Sequence, residues 1–424
     1  MDLLNTWMHI INLVFVGLFL VAYANQFFYM VVAWVKKPRQ YPPTDQTGRY
    51  AVLIAARNEE RVLPFLLDSL HKQSYPADRL TVYVVADNCT DGTARMAAAG
   101  GAVVFERHNT EQVGKGYALQ YLLGEIDRTV GMRAYRGYFV FDADNVLNQD
   151  YIAEMDKAVC AGGTILTSYR NSKNYGDNWI SAGYALWFLR EAKYLNNPRS
   201  LLGIGCAVSG TGFYVDSGII ADNGGWTHYL LTEDIEFSAA CAIKGHRIGY
   251  CHDAVLYDEQ PVTFSQSWTQ RKRWSKGFLQ MFRKYGGGLF KGAVTGRFTC
   301  FDLMMTVMPA FVISIAFLVA NTAGILISLV AFGTVGAPIW LQLLRMFLLM
   351  YGILFFIGAT TALTEWRRIW CKWWRLLLSL FTFPFFMMTY IPISIAAIFM
   401  KVRWEPIHHR VTVDESGIME EVKK

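Results

Sequence analysis

Four stretches of the chain contain no Asp, Glu, Lys or Arg: residues 7–35, 303–344, 346–364 and 376–400. A helix that crosses a membrane needs about 20 consecutive apolar residues. The pattern therefore predicts one anchoring helix and three later spans, at 7–35, 303–331, 338–363 and 377–400. Between the anchor and the later spans, charged residues and glycines return to ordinary density, so we expect a polar domain inserted between membrane segments.

The polar domain, residues 41–261, alternates between two kinds of pattern. Short β-branched or aromatic runs end in polar residues, and stretches of helical spacing follow them; the runs are 50–55, 80–86, 102–105 and 138–141. Strands that alternate with helices of about 10–15 residues indicate βαβ units and a parallel sheet. Open sheets of this kind bind ligands at the carboxyl ends of their strands. The pattern predicts a nucleotide-type α/β fold with its site at that edge.

The segment that follows the polar domain mixes aromatic with basic side chains. Trp268 and Trp274 stand among Arg271, Lys272 and Arg273. This composition is typical of a helix in the membrane interface, although an ordinary surface helix is the alternative. We therefore divide the chain into an anchor, a polar domain, an interfacial segment, a membrane segment and a polar tail: residues 1–40, 41–261, 262–300, 301–400 and 401–424.

The side of the membrane on which the tail lies does not follow from this count. One span before the polar domain and three after it would place the tail opposite to the domain. Lys401 and Arg403 argue against that placement, because short basic segments mark the cytoplasmic side. Pro384 and Pro392 would allow the last apolar segment to re-enter on the same side, and the sequence leaves both arrangements open.

Composition and charge agree with a protein of a plasma (inner) membrane whose polar domain is cytosolic. Hydrophobic residues make up 53% of the chain and charged residues 17%, against about 25% charged in soluble domains, which excludes a disordered chain. The net charge of +6 is too small to predict nucleic-acid binding. The seven cysteines are scattered without a C-x-x-C pair, so we expect reduced thiols rather than disulfides or a zinc site.

Asp142 and Asp144 directly follow the predicted strand at 138–141. Two carboxylates at i and i+2 can share a divalent ion with a diphosphate, because Mg²⁺ takes carboxylate and phosphate oxygens as ligands. A D-x-D triplet is common in loops, and its place at a strand end is what favours a metal site. The sequence predicts Mg²⁺ or Mn²⁺ as cofactor.

Two further groups of residues carry candidate chemistry. Glu233 and Asp234 offer a general base for a hydroxyl group, although the same carboxylates could cap a helix that starts near Ile235. Downstream, Q-R-K-R-W at 270–274 combines an aromatic face with arginines, which recognise phosphate through several donors.

Taken in order, these motifs resemble those of the membrane-embedded family 2 inverting glycosyltransferases, the relatives of cellulose, hyaluronan and poly-N-acetylglucosamine synthases. The likeness extends over residues 48–285 and rests on A-R-N-E at 56–59, Asp87, Lys115, D-A-D at 142–144, G-T-G at 210–212, T-E-D at 232–234 and Q-x-x-R-W at 270–274. The resemblance implies a GT-A, Rossmann-like α/β catalytic domain between an N-terminal transmembrane helix and a C-terminal helical membrane bundle with interfacial helices. The sequence departs from the pattern at Asn88, where many relatives carry a second Asp.

The resemblance also implies a role for each matched residue. Donor binding is expected of Ala56, Arg57, Glu59, Asp87, Lys115, Asp142, Arg271 and Arg273. Acceptor binding is expected of Gly210, Thr211, Gly212, Thr232, Gln270 and Trp274. Asp142 and Asp144 would hold the metal ion, and Asp234 would be the catalytic base with Glu233 beside it.

These roles lead us to expect an inverting enzyme that uses UDP-N-acetylglucosamine or UDP-glucose and builds a β-linked polysaccharide. We expect processive synthesis coupled to translocation, with the growing polysaccharide, membrane lipids and a small accessory subunit as partners. The alternative is a non-processive transferase that adds one sugar to a lipid carrier. A transporter or channel would leave the carboxylates unexplained, and the apolar spans contain only Arg345 as an internal charge.

Overall fold

The computed structural model describes residues 2–45, 47–402, 409, 413 and 415–420. Its strands are β1 (Tyr50–Ala56), β2 (Leu80–Asp87), β3 (Val103–Arg107), β4 (Gly137–Asp142), β5 (Val146–Leu147), β6 (Ile165–Ser172), β7 (Phe213–Asp216) and β8 (Ile248–Asp258). Its helices are α1 (Asp2–Ala22), α2 (Ala24–Val35), α3 (Leu63–His71), α4 (Thr93–Ala99), α5 (Lys115–Thr129), α6 (Tyr151–Cys160), α7 (Trp179–Arg190), α8 (Asn197–Leu201), α9 (Ser217–Asp222), α10 (Glu233–Lys244), α11 (Phe264–Val294), α12 (Phe298–Phe332), α13 (Ala337–Glu365), α14 (Trp373–Met388), α15 (Tyr390–Phe399) and α16 (Glu415–Glu420).

The eight strands form one sheet in the order β3-β2-β1-β4-β7-β6-β8-β5. Strands β3, β2, β1 and β4 are parallel, as the alternating pattern predicts. Strand β7 runs antiparallel to β4 and β6, which the pattern does not predict. The chain enters β7 just after Gly212, whose amide donates to the Val140 carbonyl, so β7 starts at the edge where the parallel strands end. This reversal brings the G-T-G loop to the ligand-binding edge.

Both faces of the sheet are covered, which is why the central strands β1 and β4 are apolar and buried along nearly their whole length. On one face Leu53 packs with Leu122 of α5 and Leu186 of α7. On the other face Val52 packs with Met155 of α6. This burial fixes the register of the strands, and it thereby fixes the positions of the polar residues at their ends.

The first apolar segment is broken at Tyr23 into α1 and α2, whereas the sequence predicts a single helix. In α2, Gln26 accepts a hydrogen bond from Arg190 at 2.6 Å, and Tyr29 donates to Asp302 at 2.7 Å. These polar contacts hold α2 against α7 and α12, while most residues of α1 are exposed. The break separates an apolar, exposed helix from a helix fixed on the rest of the chain.

Among the described residues, four helical stretches are long and apolar enough to cross a membrane: Asp2–Ala22, Phe311–Phe332, Ala337–Arg368 and Trp373–Phe399. The last of them combines α14 and α15, which meet at Thr389. Pro392 lies one turn beyond this junction and has no N–H to donate to the carbonyl of Met388. The proline therefore explains why α14 ends where it does.

Both ends of the α14–α15 pair adjoin the polar domain or helix α11, which follows it. Near the start, Arg375 donates to the carbonyl of Gly176. Near the end, Lys276 of α11 donates to the carbonyls of Ala397 and Ile398 at 3.0 and 3.3 Å. The start of the pair therefore contacts the polar domain, and its end contacts α11.

The described part of the tail packs on the polar domain. Glu415 accepts a hydrogen bond from Asn148 at 2.7 Å. Ile418 is 1% exposed and packs with Val146 and Tyr257. The tail thus covers the edge of the sheet beside β5, next to the D-A-D loop. Arg403, one of the two basic residues that favour a tail on the same side of the membrane as the polar domain, lies outside the described residues.

Candidate active site

Lys115 joins the D-A-D loop to the G-T-G loop. Its ammonium group donates to the Asp142 carboxylate and to the carbonyl of Gly210, the latter at 2.8 Å. The amide of Asp142 donates to the hydroxyl of Thr211 at 2.9 Å. The first turn of α5, the end of β4 and the loop before β7 are thereby fixed on one another. Residues predicted to bind the donor therefore adjoin residues predicted to bind the acceptor.

Asp144 lies deeper at the same edge and is 4% exposed. One of its carboxylate oxygens accepts a hydrogen bond from the Glu259 amide at 2.9 Å, and Lys173 donates to its carbonyl. Burial raises the pKa of Asp144, but the positive charges of His409 and Lys173 lower it, and the net shift is downward. The carboxylate is therefore ionised at neutral pH.

Asp142 and Asp144 form a two-carboxylate set that suits a hard divalent ion. Their oxygens match the ligand preference of Mg²⁺, and the Asp142 side chain is 37% exposed, which leaves room for oxygens from a ligand. Within the described residues, no group of three or more His, Cys, Asp or Glu side chains is arranged to hold a metal. An ion at this site would need further oxygens, such as those of a diphosphate or of water.

Glu233 and Asp234 begin α10 beside the G-T-G loop. A Cβ atom at Gly210, whose φ is +82°, would lie 3.5 Å from the Asp234 carboxylate, so that carboxylate adjoins the predicted acceptor wall. Removal from water raises the pKa of Asp234 to about 6. Removal from water and the charge of Asp234 raise the pKa of Glu233 to about 7, against the opposing charge of Lys115. A carboxyl group with a pKa near the working pH is suited to general base catalysis.

Two contacts hold the loop that leads into α10. The buried carboxylate of Glu236 accepts hydrogen bonds from the amides of Tyr229 and Leu230, both at 2.8 Å. On the other side, Thr232 packs directly on Gly277 of α11. A Cβ atom at Gly277 would lie 2.4 Å from the Thr232 hydroxyl oxygen, so a glycine is needed for α11 to approach this closely. The position of the T-E-D residues thus depends on α11.

The end of β2 is held by an ion pair and an unusual backbone conformation. Asp87 accepts a hydrogen bond from Arg107 at 2.6 Å, and both side chains are buried. Asn88 has a φ of +53°, a region that asparagine enters more readily than most residues. Its amide group both donates to and accepts from the backbone of Asn109. An ionised aspartate could not donate, so this pair of contacts requires an asparagine at position 88.

Glu59 follows β1 in the chain, three residues after Ala56 and two after Arg57. It contacts the tail. Its carboxylate oxygens are 3.0 and 3.1 Å from Nδ1 of His409. Burial raises the pKa of Glu59, and His409 opposes this shift. Burial alone would lower the pKa of His409, but the negative charges of Asp144 and Glu59 raise it to about 10. The tail therefore brings a positive charge to the predicted donor residues.

Helix α11 carries Gln270, Arg273 and Trp274 on one face, at spacings of three and four residues. The charge of Arg273 opposes the raised pKa of Glu233, so this arginine lies near the T-E-D residues. The indole of Trp274 meets the ring of Tyr184 edge-on, with 5.8 Å between centroids. The acceptor roles expected of Gln270 and Trp274 stay predictions.

Arg271 points away from the donor residues. It lies about 200° around α11 from Arg273, at 3.6 residues per turn. Its guanidinium is 0% exposed and donates to the carbonyl of Phe386 and the hydroxyl of Thr389, at 3.0 and 2.8 Å. The described contacts of Arg271 therefore do not include any of the carboxylates predicted to bind the donor.

Several charged residues of the site were absent from the sequence prediction. Arg170 and Asp258 form a buried ion pair, and Arg170 also donates to the carbonyl of Ser209 at 2.8 Å. Burial raises the pKa of Asp258 to about 7 even though Arg170 opposes the shift. Asp258 ends β8 and Arg170 lies two residues before the end of β6, so the rule that located Asp142 could have found them. His409 has no such signal in the sequence.

Comparison with known proteins shows the family. A model described as glycosyltransferase like family 2 matches residues 47–277. The probable glycosyltransferase YdaM of Bacillus subtilis (strain 168) is 25% identical over 265 residues, which cover 57% of this chain and 58% of that protein. A beta-monoglucosyldiacylglycerol synthase of Nostoc sp. (strain PCC 7120) is 24% identical over 66% of this chain and 60% of its own length. A poly-beta-1,6-N-acetyl-D-glucosamine synthase of Staphylococcus aureus (strain COL) is 23% identical over 61% of each chain.

The matches therefore span about three fifths of the lengths of these relatives. Among solved structures, the mannosyltransferase PcManGT from Pyrobaculum calidifontis, in complex with GDP-Man and Mn²⁺, covers 93% of this chain and 99% of its own, with a TM-score of 0.61 and 18% identity. This likeness shows the fold alone, and with the family match it confirms the predicted GT-A fold. Since the family model covers more than half of the chain, the chain belongs to glycosyltransferase family 2 and is an enzyme of that class, as its motifs predict.

Proposed function

We propose that this glycosyltransferase transfers one sugar from a UDP-sugar to a hydroxyl group of a membrane lipid, with inversion at the anomeric carbon. The observation that carries the proposal is the contact between α11, which borders the acceptor side, and the apolar pair α14–α15. Ser275 and Lys276 of α11 lie against this pair. A lipid headgroup could therefore reach Asp234 along α11 without leaving the membrane surface.

The apolar helices favour a lipid acceptor over an exported polymer. In the apolar stretch of α1 only 11% of the residues are buried, and in the apolar stretches of α12 and α13 only 17% are buried. Helices that enclose a sugar chain have to pack around it on several sides. We infer three crossings, by α1, α12 and α13, with α14–α15 in the interface. The catalytic domain and the tail then share the cytosolic side of a bacterial plasma membrane, which agrees with the positive-inside rule.

The donor side of the proposal follows the residues gathered at the sheet edge. The glucosyl lipid and N-acetylglucosamine polymer in the names of two relatives support UDP-glucose or UDP-N-acetylglucosamine as the donor. Asp142 and Asp144 would hold Mn²⁺ or Mg²⁺, which would neutralise charge on the diphosphate leaving group. Lys115 and Arg273 supply further positive charge in the same place.

Asp234 carries out the proton transfer in this mechanism. Its ionised carboxylate, beside Gly210, accepts the proton of the acceptor hydroxyl while the hydroxyl oxygen attacks the anomeric carbon. The attack comes from the face opposite to the UDP group, whose bond to the sugar breaks as the new bond forms. An α-linked donor therefore gives a β-linked product, and one base is sufficient because no covalent enzyme intermediate forms.

Processive synthesis of a β-linked polysaccharide is the second candidate, and Trp274 is the observation that favours it. Its indole lies 5.8 and 6.3 Å from the rings of Tyr184 and Phe188, and an aromatic face at this point could hold the last sugar of a growing chain. One relative is named as a synthase of such a polymer. Export would then need an accessory subunit or a second copy of the chain to complete a passage.

Analysis of the product distinguishes the two candidates. Purified enzyme in lipid nanodiscs that contain diacylglycerol, which carries a free hydroxyl group, receives Mn²⁺ and labelled UDP-sugars, and an Asp234→Asn variant runs beside it. A lipid-extractable product with one sugar, absent from the variant, supports the proposal. Label in a high-molecular-weight polymer would contradict the proposal and support the second candidate, processive polysaccharide synthesis. Binding of UDP-sugar without either product would contradict both acceptors.

A further inference from the structure

Arg271 is a fully buried cation that the proposed mechanism does not use. Its guanidinium is 0% exposed, and no carboxylate pairs with it among the described residues. Three aromatic rings surround it instead: those of Phe386, Tyr390 and Tyr184, at 4.4, 4.8 and 5.8 Å. Its Nε and Nη2 atoms have no hydrogen-bond partner among the described residues. A buried arginine with this environment stabilises the packing of helices only through ring contacts and Nη1.

The contacts of Nη1 define what Arg271 holds. Nη1 donates to the carbonyl of Phe386 and to the hydroxyl of Thr389, at 3.0 and 2.8 Å. Phe386 lies in the last turn of α14, where carbonyls lack backbone partners within the helix, and its carbonyl also accepts a hydrogen bond from the Thr389 hydroxyl at 2.6 Å. A cation is also favourable at this end of a helix because of the helix dipole. Arg271 of α11 therefore caps α14 at the point where the chain turns into α15.

A line of contacts runs from this cap to the acceptor side. Trp274, three residues after Arg271, packs with Phe386 and Phe188 in one cluster. The guanidinium of Arg170 lies 3.8 Å from the centre of the Phe188 ring. Arg170 donates to the carbonyl of Ser209, which directly precedes the G-T-G loop. A shift of α14 against α11 would therefore move Trp274 and the acceptor wall before it moved Asp142.

We propose that Arg271 is a positioning residue for the acceptor and not a donor-binding residue. By capping α14, it fixes the α14–α15 pair on α11 and so sets the place of Trp274 and the entrance for the lipid. This inference rests on the proposed function, because it assumes an acceptor that arrives along α11. It replaces the donor role that the resemblance implies for Arg271, and it leaves the donor role of Arg273 in place.

Three measurements that separate donor from acceptor test this assignment. Arg271→Gln removes the positive charge and the planar set of N–H donors of the guanidinium. We expect the KM for the lipid acceptor to rise about tenfold or more. The Kd for UDP with Mn²⁺ and the rate of acceptor-independent hydrolysis of the UDP-sugar should stay within about twofold. Thr389→Val, which removes one partner of Nη1, should raise the same KM and add little in the double variant. Lys272→Gln, at the neighbouring position, is the matched control and should leave the acceptor KM unchanged.

A disulfide cross-link tests the docking of α15 on α11 directly. The hydroxyl oxygens of Ser275 in α11 and Ser394 in α15 are 3.4 Å apart, so a Ser275→Cys/Ser394→Cys pair should form a disulfide when α15 is docked on α11. We expect this disulfide in the otherwise native chain and a clearly lower yield after Arg271→Gln, with each single cysteine variant as control. A weaker Kd for UDP in Arg271→Gln, or an unchanged disulfide yield, would overturn the inference. Failure of the native enzyme to glycosylate any lipid, with the disulfide result as expected, would overturn the proposed function alone.

Discussion

Nδ1 of His409 lies 3.0 Å from Oε1 of Glu59, although the two residues are 350 positions apart. The contact joins the tail to the first motif of the catalytic domain. It also places the positive imidazole near Asp144, whose negative charge is the main cause of the raised pKa of His409. The contact therefore links the fold of the tail to the electrostatics of the site where a diphosphate is expected to bind.

We predict a favourable coupling between His409 and Glu59 that weakens at high pH. The pKa of His409 is raised from 6.5 to about 10 in the folded chain, so its contribution to stability is complete below pH 6.5 and is lost as the pH rises through 10. A double-mutant cycle of His409→Ala and Glu59→Gln, followed by thermal unfolding in detergent, should give a coupling of about 0.5–3 kcal/mol at pH 7.

The same cycle at pH 10 should give a smaller coupling, because half of the imidazole groups are then neutral in the folded state. Substitution of the exposed His246 by Ala is the control and should change the melting temperature little at either pH. Equal effects of the single and double variants at pH 7 would be expected if both residues acted only as a pair. Fully additive effects would show that the contact does not contribute to stability.

The general base should give the enzyme an acid limb in its pH–rate profile. The pKa of Asp234 is raised to about 6 and that of Glu233 to about 7, so kcat/KM should fall as the pH drops from 7 to 5 and the base is protonated. Asp234→Asn should lower kcat by about 10²–10⁴-fold while the affinity for UDP is retained. Glu233→Gln removes a neighbouring negative charge, so its acid limb should move to lower pH. A profile that is flat over this range would exclude this pair as the source of the base.

The parts of the site that the sequence reveals are those at strand ends. Asp87 and Asp142 each end a parallel strand, and both are where the alternating pattern puts them. Arg170 and Asp258 obey the same rule but belong to strands whose direction and neighbours depend on the reversal at β7, which no local pattern encodes. His409 shows the limit of such reasoning, because its partner is determined by how the tail packs on the finished domain.

Arg271 illustrates a different limit. Its place in a motif suggested a donor role, whereas the geometry of a helix separates it from Arg273 by about 200°. The sequence contains this angular separation, but it cannot tell which of the two arginines points toward the T-E-D residues. Only the packing of α11 between α10 and α15 decides the question, and this packing depends on Gly277 and on the turn at Thr389.

Lys115 should be a main determinant of donor affinity. Its ammonium group bridges the Asp142 carboxylate and the Gly210 carbonyl, and a hydrogen bond to a charged group contributes about 1.5–3 kcal/mol. Lys115→Met should therefore weaken UDP-sugar binding by about 10- to 100-fold. Lys157→Met is the control, because Lys157 pairs with Glu154 on α6. Isothermal titration with UDP and Mn²⁺ gives both values, and equal affinities in the two variants would remove Lys115 from the donor site.

The close approach of α11 to Thr232 should make Gly277 sensitive to a single added methyl group. A Cβ atom there would lie 2.4 Å from the hydroxyl oxygen and 2.6 Å from Cγ2 of Thr232, so either α11 or the T-E-D residues must move. A displacement of the catalytic base of the order of 1 Å costs about 10²-fold in rate. We therefore expect Gly277→Ala to lower kcat by one to two orders of magnitude.

Gly287 provides the matched control, since it lies in the same helix and a Cβ atom there would meet nothing within 4 Å. Alanine is the better helix former by about 0.8–1.0 kcal/mol, so Gly287→Ala should leave kcat unchanged and raise the melting temperature slightly. Measurement of kcat and thermal stability in both variants separates the two effects. If Gly277→Ala lost stability but kept its full kcat, the Thr232 side chain would have shifted without moving Asp234. In that case α11 would not control the position of the base.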